Sequence, residues 1–180
     1  IILGAGIYQV PLIKCAKSLG YYTIVCSIEG NYPGFKYADK VYYINTIDKD
    51  AILEVAIEEK IDGIVTAGTD VAVNTIGYVC DKLGLKGLSA KSAEMVTDKS
   101  LMKKAFFKGD VSTAKYFEIK SKKDLIDSFS ELTFPLIIKA VDLSGSRGII
   151  IVETHDEALT AFDKVMKVTH KDYCIVEEFI

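Results

Sequence analysis

Leu136–Val152 reads LIIKAVDLSGSRGIIIV, and the order of its parts decides the second half of the fold. Apolar β-formers at Leu136–Lys139 and Ile149–Val152 predict two strands, and LSGSRG at Leu143–Gly148 predicts a flexible loop between them. A Walker-type loop contains Gly-Lys followed by Ser or Thr and leads into a helix. This loop returns to a strand, an arrangement that suits a cover over phosphate oxygens. Lys139 finishes the first strand, where a lysine can reach a phosphate while its head stays wet; a charge merely snorkelling from the strand end is the alternative. The hydroxyls of Ser144 and Ser146 and the unencumbered N–H groups of Gly145 and Gly148 favour the phosphate reading. Arg147 fits equally as a cation for phosphate or substrate and as a solvated surface charge.

Around this stretch the pattern predicts a strand near Lys115–Ile119, a helix from Ser121, a helix from Thr154 and a strand over Tyr173–Val176. Ser121 with Asp124, and Thr154 with Glu157, have capping-box spacing, which makes them the firmest helix starts. Glu177 and Glu178 follow the last strand. Neighbouring strand residues face opposite ways, so one carboxylate meets a ligand and the other is solvated or ion-paired. Upstream, Ser89–Lys108 reads as a short helix and then a longer one, with Leu101, Met102, Ala105 and Phe106 as its apolar stripe. Asp98 suits the cap of that longer helix. Lys99 beside it is by itself an ordinary surface lysine. His155 and His170 have no partner at catalytic or metal-binding spacing.

The first half alternates short strands with helices. Strands are expected at Ile1–Gly4, Tyr22–Cys26, Val41–Ile44 and Ile64–Ala67. The helices between them run from Val10 to Leu19, with Pro11 in the first turn and Gly20 closing it, and from an Asp48 cap to about Glu59. Another is opened by Thr69 or Asp70 and reaches Leu83. This βαβ rhythm predicts a doubly wound parallel sheet over residues 1–88. Gly4-Ala5-Gly6 lies between the first strand and the first helix, where backbone N–H groups and a helix N-terminus favour anions. A dinucleotide fingerprint would want a third glycine where Gln9 stands, and Glu29 is only roughly placed for a ribose. An anionic substrate or effector, NAD(P), and a turn needed only for close packing all remain open there.

The 180 residues are 49% hydrophobic, with 22 Lys+Arg, 25 Asp+Glu and a formal net charge of -3. No basic cluster marks a nucleic-acid track, and no apolar run has spanning length, so neither nucleic acid nor membrane is an expected partner. Cys15, Cys26, Cys80 and Cys174 lie far apart among apolar neighbours, which suits reduced core thiols in a cytoplasmic protein better than structural zinc. The chain starts directly on a strand and stops at Glu177-Glu178-Phe179-Ile180, a pattern that reads as an incomplete chain.

In this order the pieces resemble the ATP-grasp superfamily, in the branch of the carbamoyl phosphate synthase large subunit, biotin carboxylase and the purine-pathway carboxylate ligases. The matching residues are Gly4-Ala5-Gly6 with Tyr8-Gln9-Val10-Pro11, Gly20-Tyr21, Ala38-Asp39, Asp62-Gly63-Ile64-Val65, Gly68-Thr69-Asp70 and Leu85-Lys86-Gly87. The more specific ones are Thr97–Lys103, Phe134–Lys139, Ser144–Gly148 and Val176–Ile180.

The resemblance implies an α/β fold: a Rossmann-like pre-ATP-grasp domain (1–88), a helical connector (89–111) and the small α+β ATP-binding lobe (112–180). It implies ATP and Mg²⁺ as cofactors. Lys99 and Lys139 would contact phosphates, and the loop Ser144, Gly145, Ser146, Arg147, Gly148 would close over them. Glu177 would meet the adenine amino group, with Glu178, Phe179 and Ile180 along the hinge. Gly4, Gly6, Tyr8, Thr69 and Asp70 would border the substrate. The implied reaction is ATP-dependent carboxylate activation through an acylphosphate, then attack by an amine or a thiol, with small-molecule substrates and a homodimer as an option. The acids that bind magnesium are expected beyond Ile180, so no metal ligand is assigned and little turnover is expected. A Rossmann-type NAD(P)-binding oxidoreductase module and a nucleotide-binding module without catalysis are the alternatives.

Overall fold

The computed structural model describes residues 1–180 and separates into two compact units, Ile1–Glu94 and Met95–Ile180. In the first unit, strands β1 (Ile2–Leu3), β2 (Ile24–Ser27) and β3 (Lys40–Tyr43) form a parallel sheet in the order β1-β2-β3. All four residues of β2 are buried, as expected of a parallel strand covered on both faces. Leu3, Ile24 and Cys26 pack with α2 (Lys49–Glu58) and α3 (Val73–Leu83) on one face. Ile2 and Val25 pack with Ile13 of α1 (Val10–Ser18) on the other. Asp39, just before β3, accepts from the Thr23 backbone and hydroxyl at 2.8 Å each and pairs with Lys17 at 2.5 Å. Lys17 and these bonds hold its carboxyl down at about 2.

Several expectations for this unit need correction. Ile64–Ala67 is not a fourth strand; it makes one bridge, Ile2 with Val65. With only two residues in β1, the ladder amounts to two hydrogen bonds, Leu3 N–H to Val65 O at 2.9 Å and Val65 N–H to Ile1 O at 3.0 Å. Neither Thr69 nor Asp70 caps α3, whose N-cap position is Ala72; the Asp70 carbonyl instead closes a turn onto Val73 N–H at 3.1 Å. Asp48 does cap α2, accepting from Ala51 N–H at 3.1 Å. Of the cysteines, Cys26, Cys80 and Cys174 are buried but Cys15 is exposed, because α1 turns only a narrow stripe centred on Ile13 toward the sheet.

Helix α4 (Ala90–Thr97) crosses the boundary, and the second unit contains α5 (Lys99–Lys108), β4 (Tyr116–Ile119), α6 (Lys122–Ser128), β5 (Leu136–Ala140), β6 (Ile149–Val152), α7 (His155–Met166) and β7 (Cys174–Glu178). Its four strands form an antiparallel sheet in the order β4-β7-β5-β6. Leu136, Ile138 and Ala140 of β5 share a core with Cys174 and Val176 of β7, beneath Ala158, Ala161, Phe162 and Val165 of α7. Each fully buried leucine or isoleucine there contributes roughly 1.5–3 kcal/mol of transfer free energy. His155 is structural, its ring stacked on Phe129 at 4.4 Å between centroids. No helix is long and apolar enough to cross a membrane.

Candidate functional site

Alternation along β5 and β7 decides which side chains meet on the face opposite that core. With Leu136, Ile138, Cys174 and Val176 turned toward α7, the intervening Ile137, Lys139, Ile175 and Glu177 share the other face. The register pairs Ile137 with Glu177 and Lys139 with Ile175, which makes Lys139 and Glu177 diagonal neighbours. Their side chains form a close ion pair. Glu177 is 4% exposed and Lys139 keeps partial access to solvent. On β4, Tyr116 and Glu118 fall in register with Glu177 and Ile175 on this same face.

Helix α5 adds further charge. Its stripe is not the apolar one expected: Leu101, Met102, Ala105 and Phe106 are only partly buried, and the residues buried deepest are Ser100 and Lys103. The spacing i, i+3 places these two on one helical face. Ser100 Oγ donates to Glu118 Oε2 at 2.7 Å, and Lys104 pairs with the same oxygen at 2.7 Å. Lys104 first, and then Ser100, hold the Glu118 carboxyl below its usual range against partial burial. Lys103 Nζ lies 2.5 Å from Glu177 Oε2 and donates to Thr113 Oγ1 at 2.5 Å and Ala114 O at 3.2 Å. Oε2 accepts no conventional hydrogen bond, so its buried charge is held by the ion pair.

The glycine loop is anchored at its base. Lys99 Nζ donates to Leu143 O at 2.5 Å, and Lys99 N–H to Val141 O at 3.0 Å, which brings the start of α5 to the loop. Ala140 N–H donates to Gly148 O at 2.7 Å across the neck. Asp142 accepts from Thr169 Oγ1 at 2.6 Å and His170 N–H at 2.9 Å. Burial raises its carboxyl, but these bonds outweigh that and leave it below the usual range. Gly145, Ser146 and Gly148 all have φ near +60°, a conformation glycine adopts freely and serine does not. Arg147 folds back on its own loop, Nε donating to Ser144 O at 3.2 Å. Successive backbone N–H groups in left-handed and turn conformations are the elements from which anion-binding nests are built.

Glu178, next to Glu177, has its carboxylate elsewhere: Oε1 accepts from Thr133 N–H at 3.0 Å. Phe179 is held through its backbone to Pro135 O at 3.0 Å, and Ile180 is fully exposed. The second unit thus gathers Lys99, Lys139, the loop and Glu177, with Glu178–Ile180 at the end of the same strand. Sequence reasoning passed over Lys103, Lys104 and Glu118 as functional candidates. Lys103 stood inside the quoted Thr97–Lys103 stretch, and its i, i+4 spacing from Lys99 was the signal available.

In the first unit, Gly4 has φ +96°, and a Cβ on Gly4 or Gly6 would come within 3.1 Å of the Gln9 side chain. Gln9 is buried and donates its amide to Ala67 O. The glutamine therefore fills the hollow above the Gly4–Gly6 turn, which a dinucleotide pyrophosphate would need empty. Tyr8 lies on Gly68, where a Cβ would approach it to 2.6 Å, so Gly4, Gly6 and Tyr8 are gathered beside the Gly68-Thr69-Asp70 segment.

No group of three or more His, Cys, Asp and Glu side chains is placed to hold a metal ion. A groove of about 340 Å³ lies along β6 and α7, lined by Ile150, Val152, Asp156 and Lys164, on the side of the sheet opposite Lys139 and Glu177. The charged face is the better candidate: Lys99, Lys103, Lys104 and Lys139 lie on or beside it against Asp98, Glu118 and Glu177, an excess of one positive charge fit for an anion.

Residues 97–180 match the family model described as phosphoribosylglycinamide synthetase, ATP-grasp (A) domain. The chain is similar to the crystal structure of phosphoribosylglycinamide synthetase from Anaerococcus prevotii, at 37% identity and TM-score 0.74, over 99% of this chain and 44% of that one. The biotin carboxylase domain of the Hydrogenobacter thermophilus 2-oxoglutarate carboxylase, solved as a dimer with MgADP, ADP and bicarbonate, has 22% identity and TM-score 0.81, over 99% and 44%. A curated relative, alanine–anticapsin ligase of Bacillus subtilis, is 26% identical over 163 residues, which are 81% of this chain and 34% of that protein. The chain spans less than half the length of each of these three proteins.

Proposed function

The chain belongs to the ATP-grasp superfamily, and on that premise we propose that its second unit binds Mg-ATP for a ligase that activates a carboxylate. The observation that carries the reading is the convergence of Lys99 on the base of the Ser144–Gly148 loop and of Lys139 on Glu177, all in one antiparallel lobe. Bound ATP would supply the γ-phosphoryl group that turns a carboxylate into an acylphosphate open to attack by an amine or thiol.

The protein's own part is electrostatic and positional. Lys139 and Lys99 bring cationic heads to phosphate oxygens, and the loop's N–H groups and hydroxyls add donors while excluding water. Glu177 offers an acceptor for the exocyclic amino group of the base, and Glu178, Phe179 and Ile180 border the base through the strand end. Arg147 must leave Ser144 O to serve as a ligand. The acidic side chains present do not form a magnesium site. In the first unit, Gly4, Gly6, Tyr8, Thr69 and Asp70 border the carboxylate or amine substrate. The free cysteines suit a cytoplasmic setting, and the dimer of the biotin carboxylase domain makes self-association worth testing by sedimentation.

The test is calorimetric titration of the chain with ATP and Mg²⁺, of its Lys139→Ala variant, and of the chain with NADH. ATP binding that weakens at least tenfold in the variant, with no NADH binding, is the expected result. NADH binding without ATP binding would overturn it.

A further inference from the structure

Glu177 faces two ammonium groups, and their supports differ. Lys103 has a side chain 8% exposed and three partners on protein: Glu177, Thr113 and Ala114. Lys139 is 23% exposed and is bonded to Glu177. A carboxylate as buried as Glu177 cannot lose its last counter-charge without a large desolvation penalty. Of the two lysines, Lys139 has fewer protein bonds to give up when a phosphate draws its head away.

We propose that Lys103 is a positioning residue that keeps Glu177 neutralised while Lys139 leaves it, so that nucleotide binding is an exchange of Lys139 from carboxylate to phosphate oxygen. The inference rests on the nucleotide reading of this site. Helix α5 fixes Lys103 on one side of the carboxylate, and the Thr113 hydroxyl and Ala114 carbonyl fix its head. With that charge in place, releasing Lys139 leaves Glu177 paired. Without it, releasing Lys139 would strand a buried charge, so Lys139 stays on the carboxylate and the phosphate loses a ligand. Lys104 does not substitute, because it is committed to Glu118.

The deciding experiment is a double-mutant cycle, Lys103→Met with Glu177→Gln, read two ways. ATP affinity should fall about tenfold or more for Lys103→Met in the Glu177 background, and less than about threefold in the Glu177→Gln background. A merely structural role for Lys103 would cost affinity equally in both backgrounds. The second reading needs no nucleotide: labelling of Lys139 by an amine-reactive ester, followed by peptide mass spectrometry. Lys103→Met should slow it several-fold and Glu177→Gln should speed it. If Lys103→Met does not fold, Thr113→Val removes one anchor of the same head and should move both readings less, in the same direction. Unchanged labelling together with equal affinity loss in both backgrounds overturns the inference. Failure of the unmodified chain to bind ATP, with labelling as expected, would sink the nucleotide reading and leave the ion-pair exchange intact.

Discussion

The Tyr173 hydroxyl donates to Asp98 Oδ2 at 2.5 Å, joining the entry to β7 to the first turn of α5. The other oxygen of that carboxylate already caps α5, accepting from Ser100 N–H at 2.9 Å and Leu101 N–H at 3.1 Å. One buried side chain therefore sets both the start of the helix that carries Lys99 and Lys103 and its register on the strand that carries Glu177.

Tyr173→Phe removes the donor and leaves a buried carboxylate oxygen short of a partner, which should cost about 1–3 kcal/mol. Burial, and then the Asp98 bond, push the phenol well above its usual range. A raised pKa adds stability that is complete below the unfolded value, near 10.0, and is lost as pH rises through the folded one. The stability gap between the parent and Tyr173→Phe should be flat through neutral pH and shrink above pH 10.0, as followed by urea unfolding. A gap that stays constant into strong base would disprove the coupling.

The two helix starts should differ in strength. At α6 the capping box is complete: Ser121 Oγ accepts from Asp124 N–H at 3.2 Å, and Asp124 accepts from Ser121 N–H at 2.9 Å. At α7 Thr154 accepts from Glu157 N–H at 3.3 Å, but Glu157 takes Glu153 N–H instead of closing the box. Ser121→Ala should cost about 1 kcal/mol and Thr154→Ala about half that, in the same urea titration. Equal costs would show that reciprocity adds nothing here.

Both helix starts, the strand–loop–strand unit and the parallel sheet were legible because local chemistry decides them: cap spacing, β-branched runs and left-handed turns. Lys103 was not, because a lysine between Met102 and Lys104 carries no local mark of burial; only the register of α5 on β7 puts it against Glu177. The failed strand at Ile64–Ala67 has a similar cause, since its apolar run suits a ladder but β1 is too short to build one. Gln9 shows the opposite case. Its departure from the dinucleotide pattern was visible in the sequence, and its side chain turns out to occupy the hollow itself.

Two loop glycines predict different outcomes for the same substitution. A Cβ at Gly145 meets nothing within 4 Å, so Gly145→Ala carries only the cost of its φ of +65°, about 1 kcal/mol. A Cβ at Gly148 would come to 2.8 Å from Ala140 Cβ and 3.1 Å from Val168 Cγ2, beside the hydrogen bond that closes the neck. Gly148→Ala should cost about 2–3 kcal/mol and splay the loop away from Lys139. Nucleotide affinity should fall further for Gly148→Ala than for Gly145→Ala. The reverse order would mean that the tip of the loop, rather than its neck, decides its position.

Asp142→Asn tests the anchor at the loop's entrance. Both carboxylate oxygens accept, one from Thr169 and one from His170 N–H, and an asparagine can present an acceptor to only one of them. The substitution should cost about 1–3 kcal/mol near neutral pH. The carboxyl is held below its ordinary value of 3.8, so the aspartate's advantage exists above that pH and fades as pH falls through the lowered folded value. Acid titration of the two proteins should therefore show a gap that closes below pH 3.8, where the parent protonates and loses what the variant never had. Because Asp142 ties the chain just before Leu143, amide exchange in Ser144–Gly148 should also accelerate in the variant at neutral pH. Faster exchange there without change in α6 would mark a local anchor, whereas uniform acceleration would mean that Asp142 supports the whole sheet.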